Sequence, residues 1–144
     1  MKIAIDGPSG AGKSTISKLI ANKLGFVYID TGAMYRAIGL KALNCNFDTK
    51  TDIEQIINML DSVEISIACG AQRQEVFLNG ENVTDNIRTP EVSIAASDVA
   101  VIPEVRLKLV ELQRKLADGN NVIMDGRDIG TYVLPDAEIK IFLT

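Results

Sequence analysis

The amino-acid sequence predicts an α/β fold, in which helices flank a parallel sheet that carries a small antiparallel β insert. Short apolar runs at 2–5, 26–29 and 122–124 alternate with runs of helical spacing, and strands alternating with helices form parallel sheets. A glycine-rich segment, 7–14, joins the first apolar run to the first helical run. Residues 61–88 differ, because they show a period of two and an Asn-Gly turn signal typical of hairpins.

The composition fits one folded domain and excludes several kinds of function. The chain has 144 residues, of which 47% are hydrophobic, and a formal net charge of −4, so it can form a core but is a poor partner for nucleic acid. We expect no signal peptide, because Met1-Lys2 leads directly into a short strand. We expect no membrane partner, because no apolar run reaches the ~18 residues of a membrane span. Cys45 and Cys69 lack metal or redox spacing, so we expect reduced thiols in a cytoplasmic protein. We also expect the protein to be a monomer.

Histidine is absent from the chain, which excludes any mechanism that depends on an imidazole. Phosphoryl transfer to a phosphate acceptor remains open, because that nucleophile is already ionised and needs mainly positioning and charge neutralisation.

The first part of the chain predicts alternating strands and helices. Apolar residues recur at helical spacing in the first helix, at Ile16, Leu19, Ile20 and Leu24. The second strand ends at Asp30 and is followed directly by a helix. The predicted elements are a strand over 2–5, a helix over 13–24, a strand over 26–29, and helices over 31–43 and 51–60.

The remaining segments predict the insert and then a return to the α/β pattern. The insert would have strands over 63–67, 75–78 and 82–84, and the last two strands of the core would span 122–124 and 139–143. Two helices begin at Pro90 and Pro103, since proline suits a first helical turn. Their predicted buried faces are Val92, Ala95, Ala96 and Val99 in one, and Val105, Leu109, Leu112 and Leu116 in the other.

The predicted domains are therefore a core of 1–60 with 89–144 and an insert of 61–88. The sequence stops at Thr144, directly after the last predicted strand. We expect that the chain is truncated at its carboxyl end, and a compact natural end at a sheet edge is the alternative.

The glycine-rich segment has the spacing G-x-x-x-x-G-K-[ST] of phosphate-binding loops. Backbone N–H groups of such a loop and of the following helix N-terminus form an anion site, and glycine permits the required backbone conformations. Lys13 would contact the outer phosphates, and the Ser14 hydroxyl would ligate Mg²⁺. The predicted nucleotide-binding residues are Gly7, Pro8, Ser9, Gly10, Ala11, Gly12, Lys13, Ser14 and Thr15.

Polar side chains follow three predicted strands, and ligands of parallel sheets bind at the carboxyl ends of strands. Asp125 closes an apolar strand, as the Mg²⁺-organising carboxylate of nucleotide-binding proteins does, although a solvated strand-end acid is the alternative. Arg36 and Arg127 lie at the same predicted edge and are suited to clamping phosphate. Spacing alone indicates ordinary surface positions for Ser97 and Arg106.

Four segments together resemble bacterial cytidylate kinases. They are 5–14, 30–36 (Asp-Thr-Gly-Ala-Met-Tyr-Arg), 87–92 and 125–131 (Asp-Gly-Arg-Asp-Ile-Gly-Thr). The first is common among nucleotide-binding proteins, whereas the second and fourth at this separation are more specific. The resemblance covers all 144 residues and implies a three-layer P-loop NTPase fold. It also implies transfer of the γ-phosphoryl group of ATP to CMP or dCMP with Mg²⁺, in pyrimidine nucleotide metabolism.

The resemblance further implies roles for individual residues. Catalytic roles fall to Lys13, Arg36 and Arg127, of which the two arginines would grip the acceptor phosphate. Asp128 would accept a hydrogen bond from the exocyclic amine of cytosine, where uracil presents a carbonyl. The insert would close over the pyrimidine. The implied substrate-binding residues are Thr31, Arg36, Ser97, Arg106, Asp125, Arg127 and Asp128.

Two other kinds of function stay open. The first is another small-molecule or nucleoside monophosphate kinase with the same fold, which would show no response to added CMP. Full-length relatives continue beyond the position of Thr144 into a lid with further arginines, so a truly truncated chain would be a nucleotide-binding module without turnover. A GTP switch would carry a guanine-reading Asn-Lys-x-Asp segment, which this sequence lacks.

Overall fold

The computed structural model describes residues 1–8, 10–69 and 74–144. The predicted α/β class, with a parallel sheet and a small antiparallel insert, is confirmed. The strands and helices are β1 (Lys2–Asp6), α1 (Lys13–Leu24), β2 (Val27–Asp30), α2 (Thr31–Asn44), α3 (Ile53–Met59), β3 (Ile65–Cys69), β4 (Gln74–Leu78), β5 (Glu81–Asn82), α4 (Pro90–Ala100), α5 (Pro103–Ala117), β6 (Val122–Gly126) and β7 (Ile139–Phe142). Short 3₁₀ turns occur at Leu60–Ser62 and Asn86–Arg88, and a π-helical turn spans Ile129–Val133.

The chain forms two compact units, which are Met1–Thr31 with Val110–Thr144, and Gly32–Leu109. These boundaries differ from the predicted domains, a core of 1–60 with 89–144 and an insert of 61–88. That division stays a prediction, because a compact unit of a fold is not the same thing as an independently stable domain.

The first unit contains a four-stranded parallel sheet in the order β2-β6-β1-β7. The predicted parallel arrangement is therefore present, with β6 lying between the first two strands of the chain. Its buried core contains Ile3, Ile5, Ala21, Tyr28 and Ile123. Strands buried in this way have apolar side chains on successive residues, which is why the sequence shows short continuous apolar runs here.

Helix α1 buries a different face from the one that its leucines indicate. Leu19 and Leu24 are 56% and 53% exposed, so this part of the predicted apolar stripe is wrong. Ser17 and Ala21 are buried instead, at 0% and 6% exposure. Ile16 and Ile20 of the predicted stripe do pack against the core while remaining partly exposed. Small side chains let a helix approach a sheet closely, so both size and hydrophobicity decide which face of α1 packs.

The second unit contains a three-stranded antiparallel sheet in the order β3-β4-β5. Ile65 pairs with Leu78, and both side chains are buried, as expected for cross-strand neighbours on one face. The third strand spans only Glu81–Asn82 rather than the predicted 82–84. It ends there because the Thr84 hydroxyl accepts the N–H of Val76 at 3.0 Å and so replaces a bond between strands.

Helices α4 and α5 both begin with proline, as predicted. The predicted face of α4 is buried, and the Thr89 hydroxyl caps the helix by accepting the N–H of Val92 at 3.3 Å. In α5 the predicted face is partly wrong, because Leu112 and Leu116 are only half-buried. The buried row is Val105, Leu109, Gln113 and Ala117. None of the helices in the described ranges has the length and apolarity needed to cross a lipid bilayer.

Gly39 allows α2 and α4 to pack closely within the second unit, and this contact generates a prediction. A Cβ atom on Gly39 would lie 2.9 Å from the backbone nitrogen of Ala96. Alanine normally stabilises a helix relative to glycine by about 1 kcal/mol, but here we expect Gly39→Ala to lower the free energy of unfolding by about 1–3 kcal/mol through overpacking. Urea denaturation measures the difference.

The control is Ser93→Ala on the exposed side of α4, which should change the free energy of unfolding by less than about 0.5 kcal/mol. A Gly39→Ala protein as stable as the parent would contradict the close packing of the two helices.

Candidate functional site

The glycine-rich loop leaves β1 at the edge of the sheet where all four parallel strands end. The Gly7 N–H donates to the carbonyl oxygen of Gly126 at 3.2 Å. A Cβ atom at Gly7, which has a φ of +157°, would lie 2.5 Å from the carbonyl oxygen of Leu143. Only glycine fits this close approach, so the first glycine of the motif is fixed by packing as well as by ligand access. Ser9, a predicted nucleotide-binding residue, lies outside the described residues.

The other end of the loop becomes the N-terminus of α1. Gly12 is the N-cap residue, with a φ of +88°, and has no side chain that could occupy the amide groups of the first turn. The Lys13 ammonium donates to the carbonyl oxygens of Gly7 and Pro8, so it lies folded back over the loop. Ser14 and Thr15 are exposed on the first turn. The loop therefore presents a cation, hydroxyls and helix N–H groups together, which is the arrangement that anions bind.

Two carboxylates lie side by side near this loop. The register of β2 against β6 pairs Asp30 with Asp125, and Asp125 is only 4% exposed. The Tyr28 hydroxyl donates to Oδ2 of Asp125 at 2.8 Å. The Thr31 hydroxyl donates to the backbone carbonyl oxygen of Asp125 at 2.7 Å, so towards a ligand Thr31 can offer only its lone pairs.

Burial, followed by the charge of Asp30, raises the pKa of Asp125 to about 6. The hydrogen bond from Tyr28 and the positive charge of Lys13 act in the opposite direction. The buried Ser17 hydroxyl also lowers this pKa, although its position falls short of hydrogen-bond geometry with any described residue. Asp125 is therefore a carboxylate held in a position that disfavours its charge, which is common at functional sites.

The segment after Asp125 carries two further predicted site residues. Arg127 is exposed and Asp128 is half-buried. The segment then enters the π-helical turn, whose last two amide groups donate to the backbone carbonyl oxygen of Asp128 at 2.9 and 3.2 Å. A groove of about 590 Å³ runs beside it and is lined by Gly7, Pro8, Arg127, Phe142 and Thr144. The phosphate loop and Arg127 thus share one concave surface.

The first unit brings together the phosphate loop, Thr31, Asp125, Arg127 and Asp128. The other predicted substrate-binding residues belong to the second unit: Arg36 on α2, Ser97 on α4 and Arg106 on α5. Arg36 is half-buried, Arg106 is exposed, and the Ser97 hydroxyl donates to the carbonyl oxygen of Ser93 at 3.3 Å. The participation of these three residues in the site stays a prediction.

Three residues that contact the site were not predicted from the sequence. Asp6 accepts two backbone hydrogen bonds from the segment after Asp128, whereas Tyr28 and Ser17 face Asp125. The position of Asp6, directly before the loop and at a strand end, was a usable signal. Ser17 and Tyr28 gave none, because a serine in a helix and a tyrosine in an apolar strand are ordinary core residues.

The donor set near the loop fits Mg²⁺. Ser14 and Asp125 offer only oxygen atoms, which this cation prefers, and the repulsion between Asp30 and Asp125 would be relieved by a divalent cation. Among the described residues, no group of three or more Asp, Glu, Cys or His side chains forms a cation site by itself.

Comparison with known proteins gives a consistent result. A family model described as cytidylate kinase matches residues 3–144. Proteins named cytidylate kinase from Caldicellulosiruptor saccharolyticus, Desulfitobacterium hafniense and Geobacillus thermodenitrificans are 63%, 59% and 56% identical to the chain. The alignments cover 100%, 100% and 98% of this chain but only 63%, 61% and 62% of those relatives. The chain thus spans about three fifths of their length.

The raised pKa of Asp125 predicts how stability depends on pH. Between the ordinary value of 3.8 and the folded value of about 6, the folded state binds more protons than the unfolded state, so stability falls as pH rises through this window. Each unit of pKa difference corresponds to about 1.4 kcal/mol, so the free energy of unfolding should be lower by about 3 kcal/mol at pH 7 than at low pH. We expect Asp125→Asn to raise the free energy of unfolding at pH 7.5 by about 2–3 kcal/mol, and to change it little at pH 4.

Urea denaturation at both pH values, with EDTA present, checks this expectation. Asp136→Asn, at an exposed position of the same unit, is the control and should have no such effect. If the stability of the Asp125→Asn protein changed as much as that of the parent between pH 4 and pH 7.5, the assignment to Asp125 would be wrong.

Proposed function

This chain belongs to the cytidylate kinase family, and we propose that the whole protein transfers the γ-phosphoryl group of ATP to CMP or dCMP. The observation that carries the proposal is the family match over residues 3–144. This range contains both the phosphate loop and the acidic segment 125–128. Because one segment is suited to a triphosphate and the other to a base and a phosphate, the match supports a two-substrate reaction.

The donor side of the proposed reaction is the phosphate loop. Its backbone N–H groups and the N-terminus of α1 would bind the phosphates of ATP, which accounts for anion binding by a chain with a net charge of −4. Lys13 carries the positive charge nearest to the loop carbonyls. We propose that it moves from these carbonyls to the outer phosphates, where it would stabilise the charge of the transferring group.

The acceptor side needs no general base. The phosphate of a nucleoside monophosphate is ionised at neutral pH, so the chain must hold it in line and neutralise its charge. Arg127 is exposed beside the groove at the phosphate loop, and its guanidinium suits bidentate phosphate binding. We propose that Arg127 and Arg36 clamp this phosphate, so that both catalytic arginines act by position and charge.

To recognise cytosine, the protein would use one hydrogen-bond acceptor together with hydrogen-bond donors. Asp128 would accept from the exocyclic amine, and Arg106 would donate to the ring acceptors N3 and O2. Thr31 already donates its hydroxyl proton to Asp125, so it would add a lone pair rather than a second donor. Ser97 donates to Ser93 in the same way, which leaves the donor role mainly to Arg106.

Ser14 and Asp125 would hold the Mg²⁺ ion that accompanies the nucleotide. When bound, the ion neutralises charge on the phosphates and fixes their orientation. The buried environment of Asp125 supports this role, because a carboxylate with a raised pKa gains more from a cation than one already solvated.

Thermal unfolding with added nucleotides tests the proposed substrate class. A nucleotide at 100 times its dissociation constant stabilises the fold by about 2.7 kcal/mol. We therefore expect CMP and dCMP to raise the melting temperature of the protein much more than the same concentration of UMP or AMP does. A response to AMP or another monophosphate instead of CMP would favour another kinase on the same frame. A response to GDP alone would favour a nucleotide switch.

The Asp128→Ala substitution tests how cytosine is read. Removing the acceptor should weaken the preference for CMP over UMP by roughly 1–3 kcal/mol, which is the usual value of one good base contact, whereas ATP affinity should stay unchanged. Isothermal titration with each nucleotide measures both. Asp136→Ala, at an exposed position of the same unit, is the matched control, and equal losses of CMP and ATP binding in Asp128→Ala would contradict the assigned role.

A further inference from the structure

Asp6 accepts two buried hydrogen bonds and has no role in the reaction proposed above. It is the last residue of β1 and is 7% exposed. Its Oδ1 accepts the N–H of Ile129 at 2.8 Å, and its Oδ2 accepts the N–H of Gly130 at 2.8 Å. Both oxygens are therefore engaged by successive backbone amides. Hydrogen bonds to an ionised acceptor are stronger than those between neutral groups, so this contact holds the backbone firmly.

The two segments joined by this contact are those on which the proposed chemistry depends. Asp6 directly precedes Gly7, where the phosphate loop starts, and Ile129 directly follows Asp128. The carboxylate thus sets the separation between the loop for the donor phosphates and the pair Arg127 and Asp128. A Cβ atom added at Gly130 would lie 3.4 Å from Oδ2 of Asp6, which is an ordinary van der Waals distance, so the segment packs directly beside this carboxylate.

The far end of the same segment has an anchor of opposite charge. Arg114 on α5 donates from Nε to the carbonyl oxygen of Val133 at 3.0 Å and from a terminal nitrogen to that of Tyr132 at 2.8 Å. An anion at the first amides of a helical turn and a cation at its last carbonyls both match the direction of the backbone dipoles. The two anchors do similar structural work, but only the Asp6 anchor adjoins the residues that would contact substrate.

We propose that Asp6 is a positioning residue for the acceptor nucleotide, because its carboxylate fixes Arg127 and Asp128 relative to the phosphate loop. The inference rests on the proposed substrate-binding roles of those two residues. Asparagine at this position would offer one oxygen and one N–H₂ group, so it could accept only one of the two amides and would oppose the other. The segment would then shift at the end that carries Asp128.

The test compares Asp6→Asn with Arg114→Met in the protein expressed at its full natural length. The second variant removes the guanidinium but keeps an apolar stem, so it weakens the far anchor as a structural control. Isothermal titration gives the dissociation constants for CMP, UMP and ATP. Amide hydrogen exchange reports on Ile129 and Gly130, and thermal unfolding reports on stability.

We expect Asp6→Asn to raise the dissociation constant for CMP by about tenfold to a hundredfold, since the loss of one good base contact has an effect of that size. The preference for CMP over UMP should fall with it, and exchange at Ile129 and Gly130 should accelerate. The dissociation constant for ATP should change by less than about threefold. Arg114→Met should lower the melting temperature comparably and leave CMP affinity unchanged.

Three results would overturn the role of Asp6: unchanged CMP affinity in Asp6→Asn, equal losses of CMP and ATP, or an equal CMP loss in Arg114→Met. Asp6→Glu, which keeps the charge but lengthens the side chain, serves if Asp6→Asn does not fold. Failure of both Asp6 variants to fold while Arg114→Met folds would make Asp6 purely structural and also overturn the proposal. A parent protein without preference for CMP over UMP would overturn the proposed function together with this inference.

Discussion

The parallel register of β1 against β6 is the constraint on which the site in the first unit depends. It pairs Ile5 with Asp125 and Asp6 with Gly126, so the phosphate loop and the acidic segment leave adjacent strands at the same level. A shift of one residue would turn these side chains to the opposite face, and a shift of two would separate the segments by about 6.6 Å. The contact of Asp6 with Ile129 and Gly130 exists only in the observed register.

This register also places unfavourable interactions at the site. Asp30 and Asp125 become neighbours across β2 and β6, and Asp125 is buried there with a raised pKa. The core of the same unit buries Ile3, Ile5 and Ile123, and this apolar burial offsets the stability that such a pair removes. The arrangement is understandable if a cation and phosphates are part of the working state, because a site optimised for stability alone would not bury one carboxylate beside another.

Much of the fold follows from the sequence because the period of the apolar residues changes where the structure changes. Strands and helices of the core lie close to their predicted ranges, and the Asn79-Gly80 turn joins β4 to β5 as its sequence indicates. The buried faces of α1 and α5 were predicted less well. Ser17 and Gln113 are buried although they are polar, and the choice of face depends on neighbours that are distant in sequence. A pattern of hydrophobicity along one helix contains no information about these neighbours.

The same distinction applies to the candidate site. The phosphate loop could be predicted because glycines, a lysine and a serine at fixed spacing specify a local loop conformation. The residues that hold the acidic segment in place could not be predicted, because Asp6 lies more than 120 residues along the chain from its two amide partners. Tyr28 is also remote from Asp125 in the sequence, with a separation of 97 residues. Only the order of strands in the sheet brings these residues together.

The supports of the acidic segment come from both sides of β6, and this arrangement limits how the segment can respond to a ligand. Asp6 on β1 holds it from one side, whereas Tyr28 on β2 and Thr31 hold Asp125 from the other. Each of these contacts uses a proton or lone pair that is then no longer available to a substrate. Beyond these contacts, the same segment carries the exposed Arg127 guanidinium and the half-buried Asp128 carboxylate. A segment fixed at its base by these contacts is preorganised for the ligand that Arg127 and Asp128 would bind.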